Sequence, residues 1–296
     1  MKSFVTLMLC LLSMTTFAQV HDEISSAMEE FDYDKVINLI SPGTKDSLLL
    51  STRIQALKAM NRYPEAIVDL TSLFVKDTTD TKILIDLAEC YKLMGSPRQA
   101  ADYYRKAVSL RPNNKFFRLQ YIRSLLNAEN FKEARDACHG WLEQDTVSAT
   151  GYKYLGQAYE GMQNIPNAFF SYNVAYRRDS LDAQTVARIA NIFNNNRQFT
   201  DAIDVTECYR LSDTTSVDVN RQNAKAYCML KDYKKAIERY ESLKRMGDRS
   251  FLTFYYLGIS YYGDNWFYGS YDNLKEAYAK NSTDINVLPV GGINLS

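Results

Sequence analysis

Residues 88–112 read AECYKLMGSPRQAADYYRKAVSLRP. Apolar residues recur at helical spacing on both sides of the break Gly95-Ser96-Pro97. The stretch therefore predicts two helices joined by a tight turn. Ala88, Ala100 and Ala107 stand where a buried face would ordinarily carry bulk. Small residues on a buried face have a physical use if two helix axes approach closely there.

The same pattern extends along the chain with a period of 34 residues. Through Ala100 runs the series Ala66, Ala100, Ala134, Ala168, Ala202, Ala236 and Ser270, all small. Nine positions earlier stand Leu57, Tyr91, Leu125, Tyr159, Phe193, Tyr227 and Tyr261, all large. Alanine, glycine and serine make up roughly a fifth of an average chain, so seven in a row at one spacing is about a one-in-a-hundred-thousand event. Pro64, Pro97 and Pro166 fall where the second helix of a unit should begin. Proline suits a first turn because its missing N–H has no helical partner there. Asp77, Asp145, Asp179 and Asp213 share a column just ahead of new units. They are expected to cap helix N-termini. A lone helical hairpin cannot bury its apolar face, so such units must stack.

The columns resemble the tetratricopeptide repeat, whose order is large, large-small, large, small, large, small and proline. The second unit meets it with Leu84, Leu87-Ala88, Tyr91, Ala100, Tyr104, Ala107 and Pro112. The fourth gives Tyr152, Leu155-Gly156, Tyr159, Ala168, Tyr172 and Ala175; the seventh gives Phe254, Leu257-Gly258, Tyr261, Ser270, Leu274 and Ala277. Departures are Arg53-Ile54 in the first unit, Arg118, Ile122 and Trp141 in the third, and Asn220 and Asn223 in the sixth. The resemblance implies an all-α fold, a right-handed superhelical solenoid of helix-turn-helix repeats. Seven repeats then occupy 47–284, as 47–80, 81–114, 115–148, 149–182, 183–216, 217–250 and 251–284.

The ends differ from the repeats. Residues 1–18 hold Lys2, an apolar run from Phe4 to Phe17, and Thr16 and Ala18 at the −3 and −1 positions of a cleavage site. This is the pattern of a secretory signal peptide, too short to span a bilayer as a stable helix. The mature chain then has no transmembrane segment. It is expected to be exported, in the periplasm or associated with an outer membrane. The FAQ ending resembles signals of secreted Bacteroidota proteins. Residues 19–46 look like a partial repeat or cap, with Tyr33, Val36 and Ile40 over Tyr63, Ala66 and Leu70. In 285–296, Pro289 and Gly291-Gly292 suit a helix poorly, so this tail is expected to be irregular or truncated. Truncation would leave Leu274, Ala277 and Tyr278 exposed and would favour self-association through that end.

The composition excludes several function classes. Thirty-five basic residues balance 35 acidic ones, leaving no net field for nucleic acid or an anionic membrane. The two histidines, His21 and His139, are far apart, and no metal-ligand motif, glycine-rich phosphate loop or nucleophile elbow occurs. No enzyme, metal or cofactor is expected. Cys90, Cys138, Cys208 and Cys228 are scattered and are expected to be buried free thiols.

The resemblance implies that positions 2, 5, 9 and 12 of each repeat face a concave groove that holds a partner. On this chain the candidates are Lys58, Lys92, Arg123, Lys153, Gln157, Asn191, Asn194, Arg221, Lys225, Tyr255 and Tyr262. Ile85, Leu119 and Leu126 add an apolar patch. Arginine and lysine could hold partner carboxylates, and asparagine an extended backbone. The family's clamp for a terminal carboxylate is not matched by Lys153, Gln157, Arg188, Asp218 and Gln222. In the aromatic stretch Phe251–Tyr271, Trp266 and Tyr268 fall beside the turn as further anchors. The expected function is a scaffold or adaptor of the cell envelope that binds a protein or peptide. The alternatives are a carrier or assembly factor for outer-membrane clients, or a glycan- or cell-wall-associated module using the aromatic stretch.

Overall fold

The computed structural model describes residues 19–280, which are all helix and short connection. The signal segment 1–18 and the tail 285–296 lie outside them. Helix α1 covers residues 19–29 and α2 Tyr33–Leu39. Seven hairpins follow: α3 Ser47–Ala59 with α4 Tyr63–Lys76, α5 Thr81–Leu93 with α6 Pro97–Leu110, α7 Lys115–Asn127 with α8 Phe131–Gln144, and α9 Ala149–Gly161 with α10 Ile165–Arg178. The last three are α11 Ala183–Asn195 with α12 Phe199–Arg210, α13 Val217–Met229 with α14 Tyr233–Arg245, and α15 Phe251–Gly263 with α16 Phe267–Lys280. The chain divides into two compact units, Met1–Ala137 and Cys138–Ser296, with the boundary inside α8.

The first helices start on a column of caps at Asp46, Asp80, Asn114, Ser148, Asp182, Ser216 and Ser250. Each of these side chains accepts a bond from a backbone N–H of the first turn. The caps are thus not the acids expected from the sequence. Asp77 and Asp179 instead end α4 and α10. Their carboxylates accept from the Thr79 and Leu181 amides, at 2.8 and 3.1 Å, and Asp213 does the same for Thr215 at 2.7 Å. These acids fold the short linker, and the cap comes three residues later.

Inside each repeat the turn has a different rule. Asn61, Gly95, Glu129, Gln163, Arg197, Lys231 and Asn265 all lie at positive φ, between 57° and 71°. In the second repeat the Gly95 N–H donates to the Lys92 carbonyl at 3.1 Å, and the Ser96 N–H to the Tyr91 carbonyl at 2.9 Å. This pairing closes the helix by satisfying its last carbonyls. Pro64, Pro97 and Pro166 occupy first turns of second helices, as their column predicts.

Packing follows the small column. Ala66, Ala100, Ala134, Ala168, Ala202, Ala236 and Ser270 are all buried. Glycine carries the same device further. A Cβ on Gly156 would meet the Tyr172 ring at 2.6 Å, and one on Gly258 would meet Leu274 at 2.6 Å. In the first unit, α1 and α2 form a helical hairpin of their own. Ile24, Ala27, Val36, Ile37 and Ile40 join Leu50, Ile54 and Leu57 in one core. In the second unit, Ala224, Tyr227, Ala236, Tyr240, Leu243, Leu257 and Tyr261 form another.

The polar departures are compensated in place. Arg53 is buried and ion-paired with buried Asp69, tying α3 to α4. Arg118 and Asn220 replace a large apolar residue at equivalent positions. Each donates to a backbone carbonyl six residues upstream, Pro112 and Thr214 respectively. Asn223 donates to Thr206 at 2.9 Å and Glu207 at 3.0 Å, and accepts from Arg239 at 3.2 Å. Two further expectations need correction. Leu274 and Ala277 are buried, Leu274 beside Gly258 of α15, so only Tyr278 of that trio is exposed. Cys90, Cys138 and Cys228 are buried free thiols, but Cys208 is exposed.

Candidate functional site

The first helices carry the expected binding positions, and their shared 34-residue register places those positions on one side of each unit's stack. In the first unit Lys58 reaches across to α5, where it bonds Asp86 and lies 3.5 Å from Glu89. Burial pulls the Lys58 pKa down, but the Asp86 bond and the two negative charges outweigh it and the net shift is upward. Lys92 and Arg123 are exposed.

The second unit repeats the arrangement. Lys153 pairs with Asp182 at 3.1 Å, Arg188 with Glu160 at 3.1 Å, and Arg221 with Asp248 at 2.9 Å. Arg188 and Glu160 join α11 to α9, Lys153 joins α9 to the cap of α11, and Arg221 joins α13 to the linker just before the cap of α15. Burial acts upward on the Asp182 and Asp248 carboxyls. Hydrogen bonds from Thr185 and Lys153, and from Ser250, Thr253 and Arg221, outweigh it and hold both below their usual range. At Lys58, Lys153, Arg188 and Arg221 the basic lean expected for this face is therefore offset by acids of neighbouring helices and the linkers ahead of them.

Lys225 breaks this rule. It is half-buried, its Nζ lies 3.5 Å from the Asn195 Oδ1, and burial pulls its pKa down. Among the described residues it makes no ion pair, and burial is the one cause of the shift. Asn191, one turn from Asn195 on α11, is half-buried. Asn194 is different: it is only 4% exposed, and its Nδ2 donates to the backbone and side-chain oxygens of Gln222 at 3.0 Å each. That residue joins helices and is not an open contact. Gln157 is half-buried.

At the seventh repeat, Tyr255 is half-buried and stacks on Phe251 with ring centres 5.6 Å apart. Tyr262 is exposed and meets Phe267 edge-on at 5.7 Å. Trp266 packs edge-on against Tyr261 at 4.5 Å, over Gly269, where a Cβ would meet its ring at 2.6 Å. Trp266 and Tyr268 are both exposed.

Sequence reading did not show which acids pair with these bases. Asp86, Glu160 and Asp248 lie 27 or 28 residues from the cations they neutralise. The signal that could have found them is an acid and a base on facing positions of successive first helices. Among the described residues no group of three or more His, Cys, Asp or Glu could hold a metal ion, and no helix is long and apolar enough to cross a membrane. His139 lies 3.2 Å from the Tyr159 hydroxyl.

A family model described as tetratricopeptide repeat matches residues 81–114. A solved tetratricopeptide repeat protein from Parabacteroides merdae ATCC 43184 is similar with a TM-score of 0.60 at 11% identity, covering 84% of this chain and 98% of that one. The C-terminal part of a TPR repeat-containing protein from Cytophaga hutchinsonii is similar at 0.57 and 17% identity, covering 80% and 97%. YrrB, described as a TPR protein with an unusual peptide-binding site, is similar at 0.54 and 14% identity, covering 64% and 97%. These likenesses show the fold: an all-α array of tetratricopeptide-type repeats. No curated protein matches the chain.

Proposed function

We propose that this protein is a noncatalytic scaffold of the cell envelope that binds a partner protein or peptide along the first-helix face of its repeats. The observation that carries the reading is Lys225. Lys58, Lys153 and Arg221 on that face each bond an acid: Asp86 of α5, the α11 cap Asp182, and Asp248 in the linker before α15. Lys225 is half-buried, meets the Asn195 amide oxygen at 3.5 Å, and has no ion-pair partner among the described residues. A partly desolvated ammonium without a counter-charge is a receptor for an incoming carboxylate. Asn191, Tyr255 and Tyr262 lie along the same face of the second unit, offering backbone hydrogen bonds and aromatic anchors. Lys92 and Arg123 extend a similar chemistry in the first unit. The similarity to YrrB, whose description names a peptide-binding site, supports the same direction. The signal-like segment 1–18 supports the envelope as the location.

A second reading rests on Trp266 and Tyr268, which are 53% and 71% exposed beside the seventh turn. Exposed rings near the Asp272 and Glu276 carboxylates suit a sugar face and its hydroxyls. Self-association through the same repeat would fall to Tyr271 and Tyr278, both exposed.

The test is photo-crosslinking in cells with a probe at Asn191 or at Tyr255. A discrete partner band is expected, and Lys225→Met should lower its yield about tenfold, the equivalent of ~1.4 kcal/mol. Many bands of similar strength would favour a carrier. Yields no higher than from a probe at exposed Asp204 on α12 would sink the groove reading.

A further inference from the structure

Each unit holds a cavity of similar size. That of the first unit, about 500 Å³ between α3, α4 and α5, lies beside Leu70 and Leu73, which are buried, and no aromatic ring of the described residues lines it. That of the second unit, about 520 Å³ between α14, α15 and α16, carries Trp266 and Tyr268 on its rim, 53% and 71% exposed. The volume lies within the range of pockets that hold small ligands, which is ~300–1,000 Å³.

The two rings stand where the repeat pattern calls for other chemistry. Trp266 immediately precedes α16, where the other repeats carry Arg62, Ser96, Asn130, Asn164, Gln198 and Asp232. Asn164 and Asp232 cap their helices by accepting from the Asn167 and Lys235 amides. An indole has no acceptor, so Trp266 gives that bond up. At the position of Tyr268 the other repeats carry proline, threonine or a base. Gly269 stands where they carry Glu65, Gln99, Glu133, Asn167, Asp201 and Lys235, all better helix formers. Its use is geometric. A Cβ there would lie 2.6 Å from the Trp266 Cε3 and 2.9 Å from each of that atom's ring neighbours, Cδ2 and Cζ3. Distances so nearly equal place it above the ring face and not beside the ring edge. Gly269 therefore seats the indole flat against α16. A cap bond and helix propensity are both given up around one exposed ring, and such departures from local rules gather at functional sites.

The rim is electrically balanced, with Glu241, Asp272 and Glu276 against Lys244, Arg249 and Lys280. A ligand of either sign meets a like charge there, and a neutral ligand does not. Glu241 and Lys244 are held in place: Tyr261 donates to Glu241 at 2.8 Å, and Lys244 donates to Glu241 at 3.2 Å and to Asn273 at 3.3 Å. Asp272, Glu276 and Arg249 are exposed and make no ion pair among the described residues. Asp272 and Glu276 follow Tyr268 along one face of α16, one and two turns on.

We infer that this cavity is a subsite for a neutral pyranose with equatorial substituents, as in β-linked glucose or N-acetylglucosamine. Both faces of such a ring carry only C–H bonds, and one of them lies on Trp266. Its hydroxyls donate to Asp272 and Glu276 and accept from Arg249. The inference rests on the glycan reading above and deepens it by naming the platform, its seat and the class of sugar.

The chain has two tryptophans and Trp141 is buried, so fluorotryptophan labelling and fluorine NMR report on Trp266 with an internal control. The full chain is titrated with cellotriose, triacetylchitotriose, trigalacturonate and the glucosamine trimer. A neutral trimer should shift the Trp266 resonance saturably and leave Trp141 unmoved. The two charged trimers should bind about tenfold more weakly. Gly269→Ala should unseat the ring and weaken binding about tenfold while the Trp141 resonance stays native. Asp272→Ala with Glu276→Ala should remove the shift. The subsite is overturned if Trp266 stays unmoved by both neutral trimers, if a charged trimer binds as tightly, or if the full shift survives in either variant. Co-sedimentation with cellulose, chitin and peptidoglycan decides the glycan reading separately: a chain that pellets while Trp266 stays unmoved binds glycan elsewhere.

Discussion

A glutamate, a glutamine, an arginine and a lysine hold left-handed backbone at four of the intra-repeat turns, where glycine would serve more cheaply. An L-residue in that region costs ~1–2 kcal/mol because its Cβ crowds the next carbonyl. Gly95 alone among the seven avoids the cost. Gly95→Ala should therefore lower the unfolding free energy by about 1 kcal/mol, although a Cβ there would touch nothing within 4 Å. Lys231→Gly should raise it by up to ~1 kcal/mol, partly offset by the greater freedom of glycine in the unfolded chain. Chemical denaturation of both variants checks the pair. If the two move in the same direction, the backbone is not the cause. Ser270 makes a related point at a packing position. It is the one polar member of the alanine column, and its buried hydroxyl has no hydrogen-bond partner among the described residues. The column selects size there and leaves a polar group unpaired.

Between two helices of one repeat, the contact is set by what Cβ atoms leave room for. Gly156 of α9 lies under the Tyr172 ring of α10, and the Tyr172 hydroxyl donates to Glu160 at 2.7 Å. The ring is held at both its face and its tip, so it cannot swing away from an added methyl. Gly156→Ala should cost about 1–3 kcal/mol by overpacking. Gly140 in α8 offers the control, since a Cβ there meets nothing within 4 Å. Gly140→Ala should stabilise by roughly 0.5–1 kcal/mol through helix propensity. The comparison separates packing from propensity within the same substitution. Equal effects from Gly156→Ala and Gly140→Ala in thermal unfolding would show that close approach is not what keeps glycine at 156.

Across the whole chain, some features were legible in the sequence and others were not. The small column was legible because every repeat restates it, so Ala66 through Ser270 could be read as buried before any helix was placed. The caps were not. Asp77 and Asp80 carry the same carboxylate three residues apart, and only the path of the linker decides which one reaches the next helix's amides. The groove charges were partly legible: Lys58, Lys153 and Arg221 were found, but the acids that neutralise them, Asp86, Asp182 and Asp248, lie in or just ahead of the next first helix. The cavity beside Leu70 and Leu73 was illegible because the columns of Ser47 and Ser51 mix small, apolar and charged residues, so spacing alone does not show where volume is missing. The rungs also give the units different responses to acid. In the second unit, burial acts upward on the Asp182, Glu207 and Asp248 carboxyls, but their hydrogen bonds and ion pairs hold all three below the usual range. A depressed folded-state pKa contributes stability that is fully present above the unfolded value of about 4 and is lost as pH falls through the folded value. In the first unit the acids held low are Glu65, whose side chain is 45% exposed, and exposed Asp77, and solvent screens both. Repeat arrays lose structure locally when local contacts fail. Hydrogen exchange at pH 3 should therefore show protection lost in α11–α15 before α3–α6, with both segments protected at pH 7. Asp248→Asn should flatten part of this pH dependence. If α3–α6 open first on acidification, these carboxylates do not govern the acid response.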